Sequence, residues 1–251
     1  MLFAKMRNLV WMLLGGLLTL ACVGIVLGLV RPPRKRIRSA KPDSSESALL
    51  ALVNGNRRFV ECNRSLSTDT SLDAENRHEL MAGQHPYVAI LTCADSRVCP
   101  EFIFDSRPGG IFEVRNAGNL VDEDVLASFE YAVEHLHVPL IVILAHKGCG
   151  AIDAVLEAEG KPLPHHLKAL QEHTRGLAQE ILQAHDDHSE SEREYLCREN
   201  ALQQARILIR ESLVIQEAME RGRLQVICGI YDMSEGSVQF FESDSLAVKN
   251  P

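Results

Sequence analysis

The 251-residue sequence predicts an α/β fold: a central, mostly parallel β-sheet of about four parallel strands with an antiparallel edge strand, flanked by helices, and an N-terminal transmembrane helix. Three observations carry this prediction. Residues 87–92 and 139–145 are short apolar runs, rich in β-branched side chains and free of polar alternation, as in strands covered on both faces. Segments with apolar residues at helical spacing lie between such runs, so strand and helix alternate along the chain. Residues 9–30 are 22 positions without a charge, long enough to cross a bilayer as a helix.

In the first part of the body, 47–64, Leu49, Leu50, Leu52, Val53, Phe59 and Val60 form a near-helical stripe, with Gly55 a weak point. That stripe must cover either its own sheet or a partner. A short helix near 74–82 and the turn Gly83-Gln84-His85-Pro86 precede the first strand, which ends in Cys93. Residues 98–104 predict a short helix with Pro100 in its first turn. A turn at 107–110 leads to a second strand, 111–114, which runs into Arg115-Asn116-Ala117-Gly118-Asn119. Residues 122–137 read as a helix with Val125, Leu126, Phe129, Ala132, Val133 and Leu136 on one face and Asp122 near its start. The central strand then delivers His146, and a helix over 150–159 begins just after Cys149. The charged span 165–220 predicts two helices joined near 186–189. Residues 224–230 predict a buried strand, 231–236 a turn and 237–242 an edge strand.

Charge divides the chain. Residues 1–41 hold eight Lys or Arg and no acid, whereas 42–251 hold 18 basic against 34 acidic residues, a net −16. A body that acidic repels phosphate, which argues against nucleic acid as a partner. The predicted organisation is a short tail (1–8), a transmembrane anchor or uncleaved signal (9–30), a basic, polar linker (31–46) and one catalytic domain (47–251). Six Lys or Arg follow the apolar span and two precede it. The positive-inside rule then gives a single-pass, membrane-anchored protein with its body in the cytoplasm, and export to the periplasm is the alternative. The seven cysteines are odd in number and sparsely spaced, which argues against a disulfide framework. Cys62, Cys99, Cys197 and Cys228 read as small core filler.

The chemistry gathers at two strand ends. One apolar run leads into Cys93-Ala94-Asp95-Ser96-Arg97, the other into His146-Lys147-Gly148-Cys149-Gly150. In open α/β sheets, ligands bind just beyond the carboxyl ends of the strands. Two thiols, one imidazole and one carboxylate there make a set that Zn²⁺ takes in a tetrahedron, so Cys93, Asp95, His146 and Cys149 are the metal-ligand candidates for one zinc per chain. A helix starting just after Cys149 favours its thiolate.

Four motifs in order, Cys-x-Asp-x-Arg at 93–97, Arg-Asn-Ala-Gly-Asn at 115–119, Glu-Tyr-Ala-Val at 130–133 and His-x-x-Cys-Gly at 146–150, resemble those of the β-class carbonic anhydrases, over about 47–242. The resemblance implies a zinc enzyme that interconverts CO₂ and bicarbonate. It also implies a homodimer whose N-terminal helices embrace the neighbour, often paired into tetramers. Under it, Cys93, His146 and Cys149 are the constant ligands. Asp95 and Arg97 form the catalytic dyad, with Asp95 either held off the metal by Arg97 or itself the fourth ligand. Gln84 is implied as a substrate-binding amide, and Phe112, Ala117, Tyr131 and Gly150 as further substrate-binding positions, the last through its backbone N–H.

The sequence departs from that pattern at Ala117, where plant members carry a larger Val, and at Ala145 and Lys147 beside the ligand His. These departures leave open a carbonyl sulfide or carbon disulfide hydrolase on the same scaffold. The apolar N-terminal span leaves open a non-catalytic, zinc-stabilised membrane scaffold. Nothing singles out a proton shuttle among His78, His85, His135 and His137.

Overall fold

The computed structural model describes residues 41–62, 74–158, 160–172, 174 and 190–241. Five strands, β1 (Val88–Cys93), β2 (Ile111–Asn116), β3 (Leu140–His146), β4 (Gln225–Tyr231) and β5 (Val238–Phe241), form one sheet in the order β2-β1-β3-β4-β5. The first four are parallel, and β5 runs antiparallel along β4. The chain leaves β1 for β2 on one side and returns to place β3 on the other. The strand order therefore reverses between β1 and β3, the crevice where an open α/β sheet binds ligands.

β1 and β3 are buried along their whole length, as their unbroken apolar sequences predict. Their side chains alternate between two cores. Ala89, Leu91, Cys93, Ile141, Ile143 and Ala145 face one cluster; Val88, Ile90, Leu140, Val142 and Leu144 face the other. The first core is covered by α4 (Glu123–Glu134), α5 (Gly150–Glu157), α6 (Glu190–Glu211) and α7 (Leu213–Glu220). The second is covered by α1 (Ser45–Val60) and α3 (Pro100–Ile103), while α2 (Ala74–Leu80) leads into β1.

Local sequence sets the helix ends. Ser44 and Ser47 form a reciprocal cap on α1, and Asp122 accepts from the Val125 N–H to start α4. Helix α1 answers part of the question its stripe poses: Leu52, with Ala48 beside it, is fully buried against the chain's own sheet, whereas Leu50, Val53 and Val60 stay exposed. Gly55 stands where the helix lies on the Phe104 carbonyl; a Cβ there would come within 1.9 Å of that oxygen.

The transmembrane helix expected at 9–30 is corrected here. Among the described residues no helix is long and apolar enough to cross a membrane, and 9–30 lies outside them. The 22-residue α6 has the length but is studded with Glu and Arg. The membrane as a partner and the single-pass, membrane-anchored location rested on that span, and both are withdrawn with it. The join expected near 186–189 also falls outside the described residues. Before it, residues 168–172 are helical after a 3₁₀ turn at His165–Leu167; after it, the second expected helix is interrupted between α6 and α7. The break is at Ser212, whose hydroxyl caps α7 through the Ile215 N–H. Cys62 is exposed rather than core filler, whereas Cys197 and Cys228 are buried.

Candidate metal centre

Cys93 is the last residue of β1 and His146 the last of β3, on adjacent strands whose register sets Thr92 beside Leu144. Cys149 follows three residues later as the N-cap of α5. The three ligand atoms lie within 4.8 Å of one another, and all three residues are buried.

The donor set fits zinc. The Cys93 and Cys149 sulfurs are 3.8 Å apart. That is far beyond the ~2.05 Å of a disulfide. It matches the separation of about 3.8 Å for two thiolates each ~2.3 Å from one tetrahedral zinc. His146 Nδ1 lies 3.0 Å from the Lys147 carbonyl oxygen. A carbonyl only accepts, so Nδ1 carries the proton and Nε2 keeps its lone pair. That Nε2 is buried with no hydrogen-bond partner. An orphaned imidazole nitrogen beside two thiols is the donor set of a metal site. The two sulfurs are coupled: the contact with Cys149 lowers the Cys93 pKa, and backbone N–H groups of Gly118 and Asp95 add to the effect against the cost of burial. The Cys149 thiol is driven up, by the contact with Cys93 first and by burial second.

Asp95 stands beside these ligands. Its Oδ2 is 3.9 Å from His146 Nε2. Arg97 holds both carboxylate oxygens: its backbone N–H and Nε donate to Oδ1 at 3.0 and 2.9 Å, and Nη2 donates to Oδ2 at 2.7 Å. The Arg97 hydrogen bonds push the Asp95 carboxyl well below the usual carboxylate range. A second arginine straps the loop down. Arg115 donates to the carbonyls of Asp95 at 2.9 Å, Val98 at 2.6 Å and Cys93 at 3.3 Å. Its place at the end of a half-buried strand is the one sequence signal of that role.

The other expected site residues divide into two groups. Ala117 and Gly150 lie at the same carboxyl edge as Cys93, both exposed. A Cβ at Gly148 or Gly150 would meet nothing within 4 Å, so the space over Cys149 is open. Gln84 lies before the amino end of β1, where the Tyr87 N–H reaches the Gly110 carbonyl. β1, whose last residue is Cys93, separates that ligand from Gln84, a span of roughly 17 Å. Phe112 pairs in register with Ala89, four residues short of Cys93, and its ring meets Tyr131 at 6.2 Å between centroids. One chain thus brings Cys93, Asp95, Arg97, Ala117, His146, Cys149 and Gly150 to one edge and leaves Gln84, Phe112 and Tyr131 away from it.

Ala145 is buried in β3, and the Lys147 ammonium is held at 2.9 Å by both Glu194 and Asp232. Neither departure from the family pattern opens into the site.

Comparisons with known proteins agree with this geometry. A family model described as carbonic anhydrase matches residues 88–238. Carbonic anhydrase 2 of Mycobacterium tuberculosis is 50% identical over 112 residues, which cover 45% of this chain and 53% of that protein. The chain therefore spans about half the length of the mycobacterial relatives it matches. A carbonic anhydrase of Pseudomonas aeruginosa is 34% identical over 180 residues, 66% of this chain and 78% of that one. Among solved structures, that of a tetrameric β-carbonic anhydrase from Sordaria macrospora matches with a TM-score of 0.61 at 25% identity, over 76% of this chain and 98% of that one.

Proposed function

The chain belongs to the β-class carbonic anhydrase family, and from that premise we propose that it hydrates carbon dioxide reversibly to bicarbonate and a proton. Cys93, His146 and Cys149 would hold the zinc. Zinc there supplies a Lewis acid that brings the pKa of water down toward ~7, so a nucleophile exists at neutral pH.

This chain's own residues do the rest. Asp95 Oδ1 already accepts two hydrogen bonds from Arg97, whereas Oδ2 accepts one. A carboxylate oxygen has two acceptor positions, so Oδ2, the oxygen that approaches His146 Nε2, keeps one for an O–H of the attacking water. That contact orients the nucleophile, and Arg97 keeps the acceptor ionised and turned toward the site. The open side over Gly148 and Gly150 admits a small, linear substrate, and the Gly150 N–H at the start of α5 is placed to meet an oxygen as charge builds on it. Gln84, Phe112 and Tyr131 enter only if a second copy brings them, which supports a homodimer as the working unit, consistent with the tetrameric Sordaria relative.

The observation that carries this reading is the orphaned His146 Nε2 facing two thiols with Asp95 Oδ2 alongside. The test is metal content and stopped-flow CO₂ hydration on one purified sample of the full chain. One zinc per chain and a chelator-sensitive rate are expected. A metal-free protein, or a zinc-loaded one with no rate above buffer, overturns it.

A further inference from the structure

Helix α6 reads in the sequence as part of a charged span, and none of the four motifs falls on it. Yet one of its faces reaches all three ligand-bearing segments. Glu194, Cys197, Asn200 and Gln204 recur at three- and four-residue spacing and so lie on one side of the helix.

Each contact addresses a different ligand. Glu194 takes the Lys147 ammonium at 2.9 Å, and the carbonyl of that same Lys147 receives the His146 Nδ1 proton. Cys197 is buried in the same apolar cluster as Cys149; burial drives its thiol pKa up, and the Cys149 backbone N–H works against that. Asn200 Nδ2 donates to the Gly118 carbonyl at 2.9 Å, and the same loop is tied to the end of β1, where Cys93 pairs with Asn116 and the Ala94 N–H donates to the Asn116 carbonyl at 2.9 Å; the Gly118 N–H also lowers the Cys93 pKa. Gly118 turns the chain there with φ of 78°, a conformation glycine adopts without strain.

The amides are fixed in order along the helix. The Val121 N–H donates to Gln204 Oε1 at 2.8 Å, so the Gln204 amide nitrogen faces Asn200. It donates to Asn200 Oδ1 at 3.1 Å, which leaves Asn200 Nδ2 for Gly118. Both amides are at most 1% exposed, so water does not replace a lost partner.

We infer that this face of α6 is the positioning element of the metal centre, with Asn200 and Cys197 as positioning residues that hold the Cys93 and Cys149 thiolates through backbone amides. The inference rests on the reading of Cys93, His146 and Cys149 as zinc ligands. Outer contacts of this kind orient ligands before the cation arrives, and losing one typically weakens metal binding ~10–100-fold.

The test uses the full chain and two readouts: the zinc dissociation constant from competition with a chromophoric chelator, and the thiolate-to-cobalt absorption bands after Co²⁺ substitution. Asn200→Leu keeps the volume and removes the amide. Cys197→Ala removes the acceptor for the Cys149 N–H, while Cys197→Ser restores one. Asn200→Leu and Cys197→Ala weaken zinc by ~10-fold or more and shift the cobalt bands, and Cys197→Ser stays within about threefold of the parent. Parent-like zinc binding and cobalt spectra in both deletions overturn the inference, as does an equal loss in Cys197→Ala and Cys197→Ser. If Asn200→Leu does not fold, the Cys197 pair decides alone. A parent chain that binds neither zinc nor cobalt instead overturns the ligand assignment beneath it.

Discussion

Arg97 grips Asp95 with three hydrogen bonds, two on Oδ1 and one on Oδ2, and leaves the second acceptor position of Oδ2 beside the zinc ligands. The carboxylate is thereby an acceptor aimed at the site rather than an idle surface charge. Asp95→Asn keeps the shape but trades an acceptor for a donor on one side. We expect zinc content unchanged and CO₂ hydration lowered ~10²–10⁴-fold, the range for a lost proton-handling group. Turnover within twofold of the parent would show that Asp95 takes no part.

Glu113 gives stability a pH dependence of unusual sign for a carboxylate. Burial, and then the neighbouring Glu101 charge, raise its pKa from 4.5 to about 7, with Arg115 opposing. Its Oε1 is buried without a hydrogen-bond partner. The folded state therefore holds this proton more tightly than the unfolded chain does. The stabilisation is complete below the unfolded pKa and is lost as pH rises through about 7. Glu113→Gln, which cannot ionise, should be more stable than the parent at pH 8 by on the order of 1–3 kcal/mol and no more stable at pH 4. Urea unfolding of the zinc-loaded proteins at both pH values measures this. An equal difference at the two pH values sinks it.

The ligand triad was legible because its residues sit at the ends of apolar strands, and strand ends are where such sheets bind ligands. Asp95 was legible for the same reason; its pairing with Arg97 was legible only through the resemblance of Cys-x-Asp-x-Arg to the family motif. Asn200 and Gln204 were not: amides on a helix rich in Glu and Arg read as a wet face, and their burial is decided by the Gly118 loop, far away in sequence. Cys197 is buried in the core as a small filler residue should be, but nothing local says that it packs in the cluster that holds Cys93 and Cys149. The separation of Phe112 and Tyr131 from the metal was hidden as well, since a pocket position carried over from a family does not say where in the element it stands; that of Gln84 was legible, because it precedes the strand that Cys93 ends.

Gly55 shows how a residue that weakens a helix in isolation is required by packing. An added methyl would sit 1.9 Å from the Phe104 carbonyl oxygen and 2.7 Å from its carbon, both backbone atoms that cannot rotate away. Asn56, next in line, ties the same helix to the Ile103 and Gly236 carbonyls and resists a shift. Gly55→Ala should therefore lose stability by ~1–3 kcal/mol or more despite the better helix propensity of alanine, which alone would favour it by ~1 kcal/mol. Thermal or urea melts decide; a gain in stability would mean that α1 does not lie on Phe104.

The position of Gln84 predicts how two chains share one site. It precedes the amino end of β1, while Cys93 closes the carboxyl end, so a chain does not deliver this amide to its own metal. If it serves substrate binding, it serves the site of a second copy. Asp95→Asn and Gln84→Leu homodimers should then each be impaired. A heterodimer of the two, isolated through different tags on the two chains, contains one site built from an intact metal side and an intact Gln84. Its activity should return to about half that of the parent dimer, because one of its two symmetry-related sites is whole. Were Gln84 to act on its own chain's metal, both sites would remain defective and no activity would return. Failure to recover any heterodimer, or a fully active Gln84→Leu homodimer, would equally refute the shared site.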